Sequence, residues 1–560
     1  MWQQDYTPVA HSIGGSALVA SLPMFMLLFL LAIRRKPAWI AAIASLITAT
    51  LMVWLVYRMP AIRIFSAVTF GMAFGLLPIG WITFNAILLY RVTLETGQFE
   101  VIKNSLAMLT SDCRLQALLI AFAFGAFIEG AAGSGVPVAV GAAMLAGMGF
   151  DRLKAAGICL LANTAPVAFG AIGLPILTLA KATELPLASL SATAGRISAP
   201  LSLCVPAYMV VLVAGRKGLR GVLPAALTCG VSFAVVQVTV SNLIGPELAD
   251  ILAALTAIAS LVLLFQVWQP KECLSAGETH GGIGLRACPN PPIQAETPVP
   301  PEICETTYSI SEIFRAWLPY MLLAGCVLCW GMPAFKEVLL KTSISIEWPA
   351  LHRLIMRIPP VVPTASPYEA KYSLDWLASP GTACLIASVL AALFAGLSPR
   401  RFVRVFLGTL RQMFLPLVTI ASVLGLAFLM NYSGATATLG LAFASTGILF
   451  PFFSPLLGWM GVFLTGSDAS SNALFGNLQT TAAKQLGLNP VLTAAANSTG
   501  GVMGKMISVQ SIAVAAAATG MKSAEESQLF RFTFWHSVLL VSLIGVVTTI
   551  YAYVIPWIVP

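Results

Sequence analysis

Charged residues are scarce in this sequence. Asp, Glu, Lys and Arg make up only 9% of its 560 residues, whereas 58% of the residues are hydrophobic and the mean hydropathy is +0.88. Roughly a quarter of the residues of a soluble domain are charged, so this composition excludes an ordinary soluble protein. The net charge of +9 comes from basic residues in short loops between apolar runs, which is typical of membrane orientation and not of nucleic-acid binding. We predict an all-α polytopic membrane protein surrounded by lipid, with no nucleic-acid partner.

Residues for metal, redox or hydrolytic chemistry are also few. The four His residues are dispersed, and the ten Cys residues show no paired spacing. The sequence has no paired-carboxylate metal motif and no nucleophile with an adjacent base. We therefore expect no metal site, no disulfide, no bound cofactor and no enzymatic activity.

Long apolar runs, in contrast, fill most of the sequence. Twelve of them have about the twenty residues that a helix needs to cross a bilayer. They lie near positions 12–33, 38–57, 66–90, 153–181, 197–215, 222–244, 248–268, 316–334, 379–397, 411–431, 490–516 and 535–558. The first run is longer than a signal-peptide core and no cleavage motif follows it, so we interpret it as a retained span.

Two further apolar stretches, about 114–149 and 450–486, are interrupted near their middles by the polar segments 129–135 and 465–471. Each arm has roughly 16 residues and would be about 24 Å long, which is short of a hydrocarbon core of about 30 Å. We therefore predict two re-entrant hairpins. Pairs of full spans are the alternative that the sequence alone leaves open.

The interrupted stretches belong to an internal repeat. Gly125-Ala-Phe-Ile-Glu-Gly130 corresponds to Gly461-Val-Phe-Leu-Thr-Gly466, 336 positions later. Some thirty residues further on, Ala162-Asn-Thr164 corresponds to Ala496-Asn-Ser498, at an offset of 334. A nearly constant offset between polar motifs of this kind indicates duplication.

The two copies are predicted to have opposite orientations. Helices expected to begin at Pro78 and Pro416 keep the same offset, and six complete spans and one hairpin separate them, so they cross in opposite directions. This is the inverted repeat of secondary transporters, whose sites lie where interrupted helices of both halves meet. We predict a first half at 1–268 with repeat 1 at about 66–181, a polar linker at 269–314, and a second half at 315–560 with repeat 2 at about 411–516.

Two carboxylates mark the hairpin tips. A carboxylate in the middle of an apolar stretch costs about 3 kcal/mol and is usually functional where it faces a cavity. Glu129 has this position in the first hairpin and is the candidate proton carrier, with capping of backbone amides as its alternative role. Asp468, at the second tip, is predicted to share the proton or to bind a coupling cation.

Polar residues around the tips and breaks are the candidate substrate ligands. Glycines beside Glu129 uncover backbone amides, and the N-terminus of a half-helix follows them, which together suit an anionic group. Asn and hydroxyl residues before helix breakers in both repeats predict unwound segments that line a polar cavity. Lys505 either pairs with a substrate carboxylate or extends toward the membrane interface. The candidate substrate-binding residues are Gly130, Gly133, Ser134, Gly135, Asn163, Thr164, Thr465, Ser467, Ser470, Asn472, Asn497, Ser498, Thr499 and Lys505.

Loop charge predicts the orientation in the membrane. With the N-terminus outside, most basic loop residues fall on the inner side, as the positive-inside tendency requires. These inner residues include Arg34, Arg35, Lys36, Arg91, Arg216, Lys217, Arg220, Lys271, Arg400, Arg401, Arg404 and Lys522. Both termini are therefore predicted to be periplasmic.

Several motifs, in order along nearly the whole chain, resemble the bacterial L-lactate permease family. They are Trp2-Gln-Gln-Asp-Tyr6, Glu129-Gly-Ala-Ala-Gly133, Asn163-Thr-Ala-Pro-Val-Ala-Phe-Gly170, Ile244-Gly-Pro-Glu247, Phe463-Leu-Thr-Gly-Ser-Asp468, Ser470-Ser-Asn-Ala-Leu-Phe475, Gly504-Lys-Met-Ile-Ser508 and Phe530-Arg-Phe-Thr533. The chain departs from the family pattern at Ser134, Val136 and Val509, where the family usually has Phe, Ala and Pro.

This resemblance implies a secondary transporter of the bacterial inner membrane. Family members take up lactate, often with glycolate, together with a proton, and the broader superfamily adds two hairpins and an elevator-like movement, which is a fold-level analogy. We therefore predict symport of L-lactate, D-lactate and glycolate with a proton. The rival is a sodium-coupled carboxylate transporter, because Asn and hydroxyl groups at unwound segments also suit sodium. The oligomeric state is left open, a homodimer included.

Overall fold

The computed structural model describes residues 1–30, 34, 36–133, 135–274, 286–287, 308–521 and 523–560. Ser134 and most of the predicted linker at 269–314 therefore lie outside the described residues. The predicted departure at Ser134 is not placed by the structure.

Helices dominate the described chain, which confirms the predicted all-α polytopic class. They are α1 (Ile13–Ala20), α2 (Leu22–Leu28), α3 (Ala38–Leu55), α4 (Ala61–Phe74), α5 (Trp81–Glu95), α6 (Gln98–Ala107), α7 (Cys113–Gln116), α8 (Gly125–Ala131), α9 (Val136–Gly147), α10 (Arg152–Ala162), α11 (Gly170–Thr183), α12 (Leu187–Leu243), α13 (Ala249–Val267), α14 (Ile310–Gly331), α15 (Pro333–Leu340), α16 (Pro380–Phe394), α17 (Pro399–Ser433), α18 (Ala435–Ala444), α19 (Phe450–Thr465), α20 (Asp468–Gln485), α21 (Pro490–Lys505), α22 (Val509–Thr519) and α23 (Ser523–Tyr553). Wider helical turns at Gly75–Gly80 and Ala117–Phe124 join α4 to α5 and α7 to α8.

Nine helical stretches of the described residues are long and apolar enough to cross a membrane, or up to eleven if each of two bent pairs is one span. The difference from the twelve predicted runs has local causes. The run at 12–33 is divided at Ser21, and α16 has only 15 residues. The predicted runs 197–215 and 222–244 are both arms of α12, whose backbone leaves the helical conformation at Gly215 and Val222.

Short strands occupy the polar connections. They are β1 (Trp2–Gln3), β2 (Glu272–Cys273), β3 (Arg286–Ala287), β4 (Ile344–Glu347), β5 (Ile355–Arg357), β6 (Ser366–Pro367) and β7 (Lys371–Leu374). β5 pairs with β1 in parallel and with β6 antiparallel, while β2 pairs with β3 and β4 with β7, both antiparallel. The N-terminus is thereby joined to the connection between α15 and α16. Cys273 is disulfide-bonded, so the prediction of no disulfide was wrong.

The helices form two packed groups. One contains α3 to α5, α14, α16 and α17, and the other contains α7 to α13 and α19 to α23. The second group holds both interrupted hairpins, formed by α7 to α9 and by α19 with α20. The arms of each hairpin pack against each other, and both hairpins pack on the helices that follow them. This arrangement brings the two predicted tips into one interior.

The repeat is visible in the order of elements. Gly97 and Gly434 both adopt left-handed backbone angles, with φ of 74° and 86°, and each precedes a helix of 10 residues. A hairpin and then a helix broken in its course follow in both copies. The helix start expected at Pro78 is confirmed, because the backbone is non-helical at Leu77 and the helical turn that leads into α5 begins directly after it, whereas the start expected at Pro416 was wrong, because Pro416 lies inside α17.

Candidate functional site

The first hairpin turns between the end of α8 at Ala131 and the start of α9 at Val136. Gly133 and Gly135 have φ of 61° and 80°, which side-chain-bearing residues rarely adopt. Glu129 lies in the last turn of α8 and is only 2% exposed. The hairpin therefore delivers a carboxylate into the protein interior, as predicted.

A broken helix faces this tip. α10 ends at Ala162, with Asn163 as its C-cap, and the first turn of α11 has left-handed backbone angles at Ala171, Ile172 and Gly173. The two helices of this pair are bent by 60°. Positive φ at the branched Ile172 is a true outlier, and such strain is typically found at functional sites. The break predicted after Asn163 is thus present.

A buried ion pair connects the two repeats. The Nζ of Lys505 lies 2.6 Å from Oε1 of Glu129, and Nδ2 of Asn163 donates to Oε2 of the same carboxylate at 3.1 Å. Lys505 is 9% exposed, so it does not extend to the membrane interface. A Cβ at Gly170 would come within 2.6 Å of Oε1, so only glycine leaves room for the carboxylate there. The ammonium of Lys505 therefore compensates the negative charge of Glu129, for which the sequence alone showed no partner.

The second hairpin carries a separate polar cluster. Asp468 begins α20, and its Oδ2 accepts a hydrogen bond of 2.6 Å from Ser498. Asn472 donates to Ser498 at 3.0 Å, and Asn497 donates to Asn472 at 2.9 Å. Gln479 then donates to Asn497 at 3.1 Å. The predicted residues Asp468, Asn472, Asn497 and Ser498 therefore lie in one network, together with a glutamine that sequence reasoning missed.

The predicted unwinding after Asn497 was wrong. α21 continues without interruption to Lys505, and the break follows at 506–508. Its glycines serve close packing: a Cβ at Gly500 would overlap Pro455, and one at Gly504 would overlap Trp459, both on α19. A glycine that breaks helices in water is also the residue that lets two membrane helices approach closely.

The remaining candidate residues form local contacts at the tips. Thr164 donates to Leu161, Thr465 to Gly461 and Thr499 to Ala495, so all three hydroxyls bond to backbone carbonyls three or four residues before them. Ser467 caps α20 by accepting from the amide of Ser470. Among the glycines, Gly130 packs against Asp250 and Ile251, Gly133 against Ala171, and Gly135 near Val514.

Asp250 is a site residue that sequence reasoning missed. It lies in the first turn of α13, is 1% exposed, and accepts a 3.1 Å hydrogen bond from Gln237 at Oδ1. Gln237 also donates to the carbonyl of Ala165 in the broken helix, at 3.2 Å. The sequence signal was weak, because Asp250 is the third residue of the apolar run predicted at 248–268, whereas Glu129 lies in the middle of its stretch.

The site is closed in this structure. A gap lined by Asn163, Lys505 and Ser511, among others, is too narrow for a water molecule. A wider cavity of about 440 Å³ lies elsewhere, between the two helix groups, and is lined by Lys181, Glu247 and Trp330 among others. The polar groups at the hairpin tips are therefore packed against each other.

Two interrupted hairpins and two broken helices that place paired charges in a dry interior define a multi-pass membrane transporter. The chain belongs to the L-lactate permease family, whose model matches residues 16–555. Its relatives carry the names of permeases, so the chain is a transporter and not an enzyme, as predicted.

Similarity to these relatives covers the whole length. The chain is 45% identical to the L-lactate permease of Bacillus subtilis, covering 100% of both chains. It is 45% identical to the glycolate permease GlcA of Escherichia coli, covering 99% of this chain and 98% of that one, and 42% identical to the L-lactate permease of the same organism, covering 100% of both. Among solved structures, it resembles the YdaH transporter of Alcanivorax borkumensis with a TM-score of 0.46 and 15% identity, covering 89% of this chain and 90% of that one.

Proposed function

We propose that this protein imports short 2-hydroxy monocarboxylates, namely L-lactate, D-lactate and glycolate, together with a proton. The names of its relatives support lactate and glycolate as substrates. The contact that carries the proposal is the buried pair between Lys505 and Glu129, since a monocarboxylate is the chemical equivalent of the group that Lys505 already binds.

The pair supplies a physical basis for coupling. A substrate carboxylate that binds Nζ of Lys505 must displace the carboxylate of Glu129, and two anions at one ammonium would repel each other. A proton on Glu129 removes this repulsion, so substrate and proton favour each other's binding. Asn163, which donates to Glu129, lies at the break that follows α10. Displacement of Glu129 by the substrate would therefore break this hydrogen bond and change the contacts of the broken helix.

The wider features of the proposal follow from the family and the loop charges. We place the protein in the bacterial inner membrane with periplasmic termini, and we expect no resident cofactor. The group containing both hairpins would move against the other helix group, as in an elevator mechanism. The predicted halves at 1–268 and 315–560 and the linker between them remain part of this proposal.

Transport by purified protein in proteoliposomes tests the proposal. An inward pH gradient of about one unit supports about a tenfold accumulation when one proton accompanies one anion. Glu129→Gln should abolish this accumulation and leave exchange of labelled for unlabelled lactate. Asp151→Asn is the matched control, because Asp151 caps α10 at an exposed position and Asn caps equally well. Accumulation by Glu129→Gln at the wild-type level would refute the role of Glu129.

A sodium-coupled carboxylate transporter is the second candidate. The observation in its favour is the oxygen-rich cluster at Asp468, whose Oδ1 has no hydrogen-bond partner. Carboxylate, hydroxyl and amide oxygens are ligands that sodium accepts in secondary transporters. A sodium gradient without a pH gradient, applied to the same proteoliposomes, separates the candidates. Counterflow with L-lactate, D-lactate, glycolate and acetate then defines the substrate range.

A further inference from the structure

The proposed site contains more negative than positive groups. Within the described residues that meet at the hairpin tips, Glu129, Asp468 and Asp250 face one ammonium, that of Lys505. Lys505 is in contact with Glu129, which leaves the other two carboxylates without a cation in contact. Two uncompensated charges on side chains that are 1% and 3% exposed are unfavourable, so each must hold a proton or a cation while the site is closed.

Asp250 has the weaker hydrogen bonding of these two carboxylates. Asp468 accepts a short hydrogen bond from Ser498, whereas the single hydrogen bond to Asp250 comes from Gln237. Oδ2 of Asp250 is fully buried and has no hydrogen-bond partner. Among the described residues, the hydrogen-bond contact to Asp250 is an N–H donor and not an oxygen ligand, so a proton suits Asp250 better than a cation.

Asp250 is also connected to the moving parts of the site. Its Cβ lies 3.0 Å from where a Cβ of Gly130 would be, so it packs directly against the turn that carries Glu129. Gln237 joins Asp250 to the carbonyl of Ala165, two residues beyond Asn163. Ser202 holds this glutamine by donating to its Oε1 at 2.8 Å. A movement that frees Glu129 from Asn163 would therefore change the surroundings of Asp250 as well.

We propose that Asp250 is a second proton-carrying residue of the transport cycle and is protonated in the closed state described here. When the first hairpin moves away from α13 and water enters, the O–H bond of Asp250 breaks, the proton passes to water, and the carboxylate is left hydrated. Rebinding of a proton from the other side of the membrane restores the neutral acid and permits closure. The charged groups that act on Asp250 are Glu129 from α8 and Lys505 from α21. This inference rests on proton symport as the proposed function.

The test compares Asp250→Asn with the control Asp151→Asn in proteoliposomes. Asparagine keeps the acceptor for Gln237 and imitates the neutral acid, so we expect lactate exchange to persist. With two protons per anion and the membrane potential clamped at zero, a pH gradient of about one unit supports about a hundredfold accumulation, and Asp250→Asn should reduce it to the roughly tenfold value that the proton on Glu129 alone supports. The exchange rate should also lose the part of its pH dependence that comes from Asp250, which a purely structural role of Asp250 would not cause.

Three further outcomes decide between the inference and the function on which it rests. Proton-driven accumulation by Asp250→Asn at the wild-type level overturns the inference and leaves proton symport standing. Failure of the wild-type protein to accumulate lactate on a pH gradient overturns both. If Asp250→Asn loses exchange as well, infrared spectroscopy decides: a carboxylic acid C=O band present in the wild type and absent in the variant supports the inference, and an unchanged band overturns it.

Discussion

Lys505 and Glu129 compensate each other's charge in the protein interior, so the loss of one partner leaves the other unpaired. Breaking a buried ion pair in this way typically costs about 3–5 kcal/mol, whereas removing both charges costs much less. We expect Lys505→Met and Glu129→Gln each to lower the melting temperature of the detergent-solubilised protein. The double variant should melt closer to the wild type than Lys505→Met does.

An exposed ion pair provides the control for this cycle. Arg353 and Glu369 approach to 2.7 Å, but their side chains are 57% and 52% exposed, so water screens the interaction. Arg353→Met should therefore have little effect on melting. If the melting temperature of Lys505→Met is no lower than that of Arg353→Met, the buried pair contributes no more to stability than the exposed pair does.

Single residues of the site were predictable where one local rule sufficed. A carboxylate inside an apolar run identified Glu129 and Asp468, whereas Asp250 lies at the start of its run and was not identified by this rule. The partner of Glu129 was not predictable in this way, because 376 positions separate it from Lys505 and the contact is created by packing of the two repeats. Lys505 was found as a candidate, but as a substrate ligand or as a residue that extends to the membrane interface, and not as the partner of Glu129.

At the scale of elements, the site depends on how closely α19 approaches α21. Cβ atoms at Gly458, Gly500 and Gly504 would overlap the backbone of the facing helix. Overpacking of this kind costs about 1–3 kcal/mol. We predict that Gly504→Ala lowers the melting temperature and reduces lactate exchange, because Gly504 precedes Lys505 and a shift of α21 displaces its ammonium.

Gly325 in α14 provides the matched control, since a Cβ there meets no atom within 4 Å. Alanine is favoured over glycine inside a helix by about 1 kcal/mol, so Gly325→Ala should leave the melting temperature unchanged or raise it. Equal melting temperatures of the two variants would show that α19 and α21 can move apart enough to accept a methyl group at Gly504.

The two helix breaks differ in how well the sequence predicts them. The break after Asn163 was foreseen because Pro166 cannot continue a regular helix. The break expected after Asn497 does not exist, because glycine has two uses in a membrane helix and only the tertiary packing reveals which applies. The hairpins were predicted from the polar residues at their tips and from arms of roughly 16 residues. That length holds for α19 but was wrong for the first arm, Cys113–Ala131, which has 19 residues and is long enough to cross a membrane.

At the scale of the whole molecule, both chain termini lie on one face. Trp2 pairs with Ile355 in the connection between α15 and α16, and the guanidinium of Arg196 binds the carbonyl of Ile558 near the C-terminus. Arg196 also binds Asn242, which lines the same cavity as Asp375 at the end of that connection. The bend between the two arms of α12, with Arg216, Lys217 and Arg220, is separated from this face by the length of both arms.

This arrangement makes the orientation testable with reporters at two positions. Because basic loops remain in the cytoplasm, alkaline phosphatase fused after Pro560 should be active, and green fluorescent protein at the same position should stay dark. Green fluorescent protein inserted within the predicted linker at 269–314 should fluoresce, since an odd number of crossings separates the linker from the C-terminus. A fluorescent C-terminal fusion together with a dark linker insertion would reverse the orientation. It would also reverse the sides from which the two hairpins enter, so that protons and substrate would reach Glu129 from the opposite face.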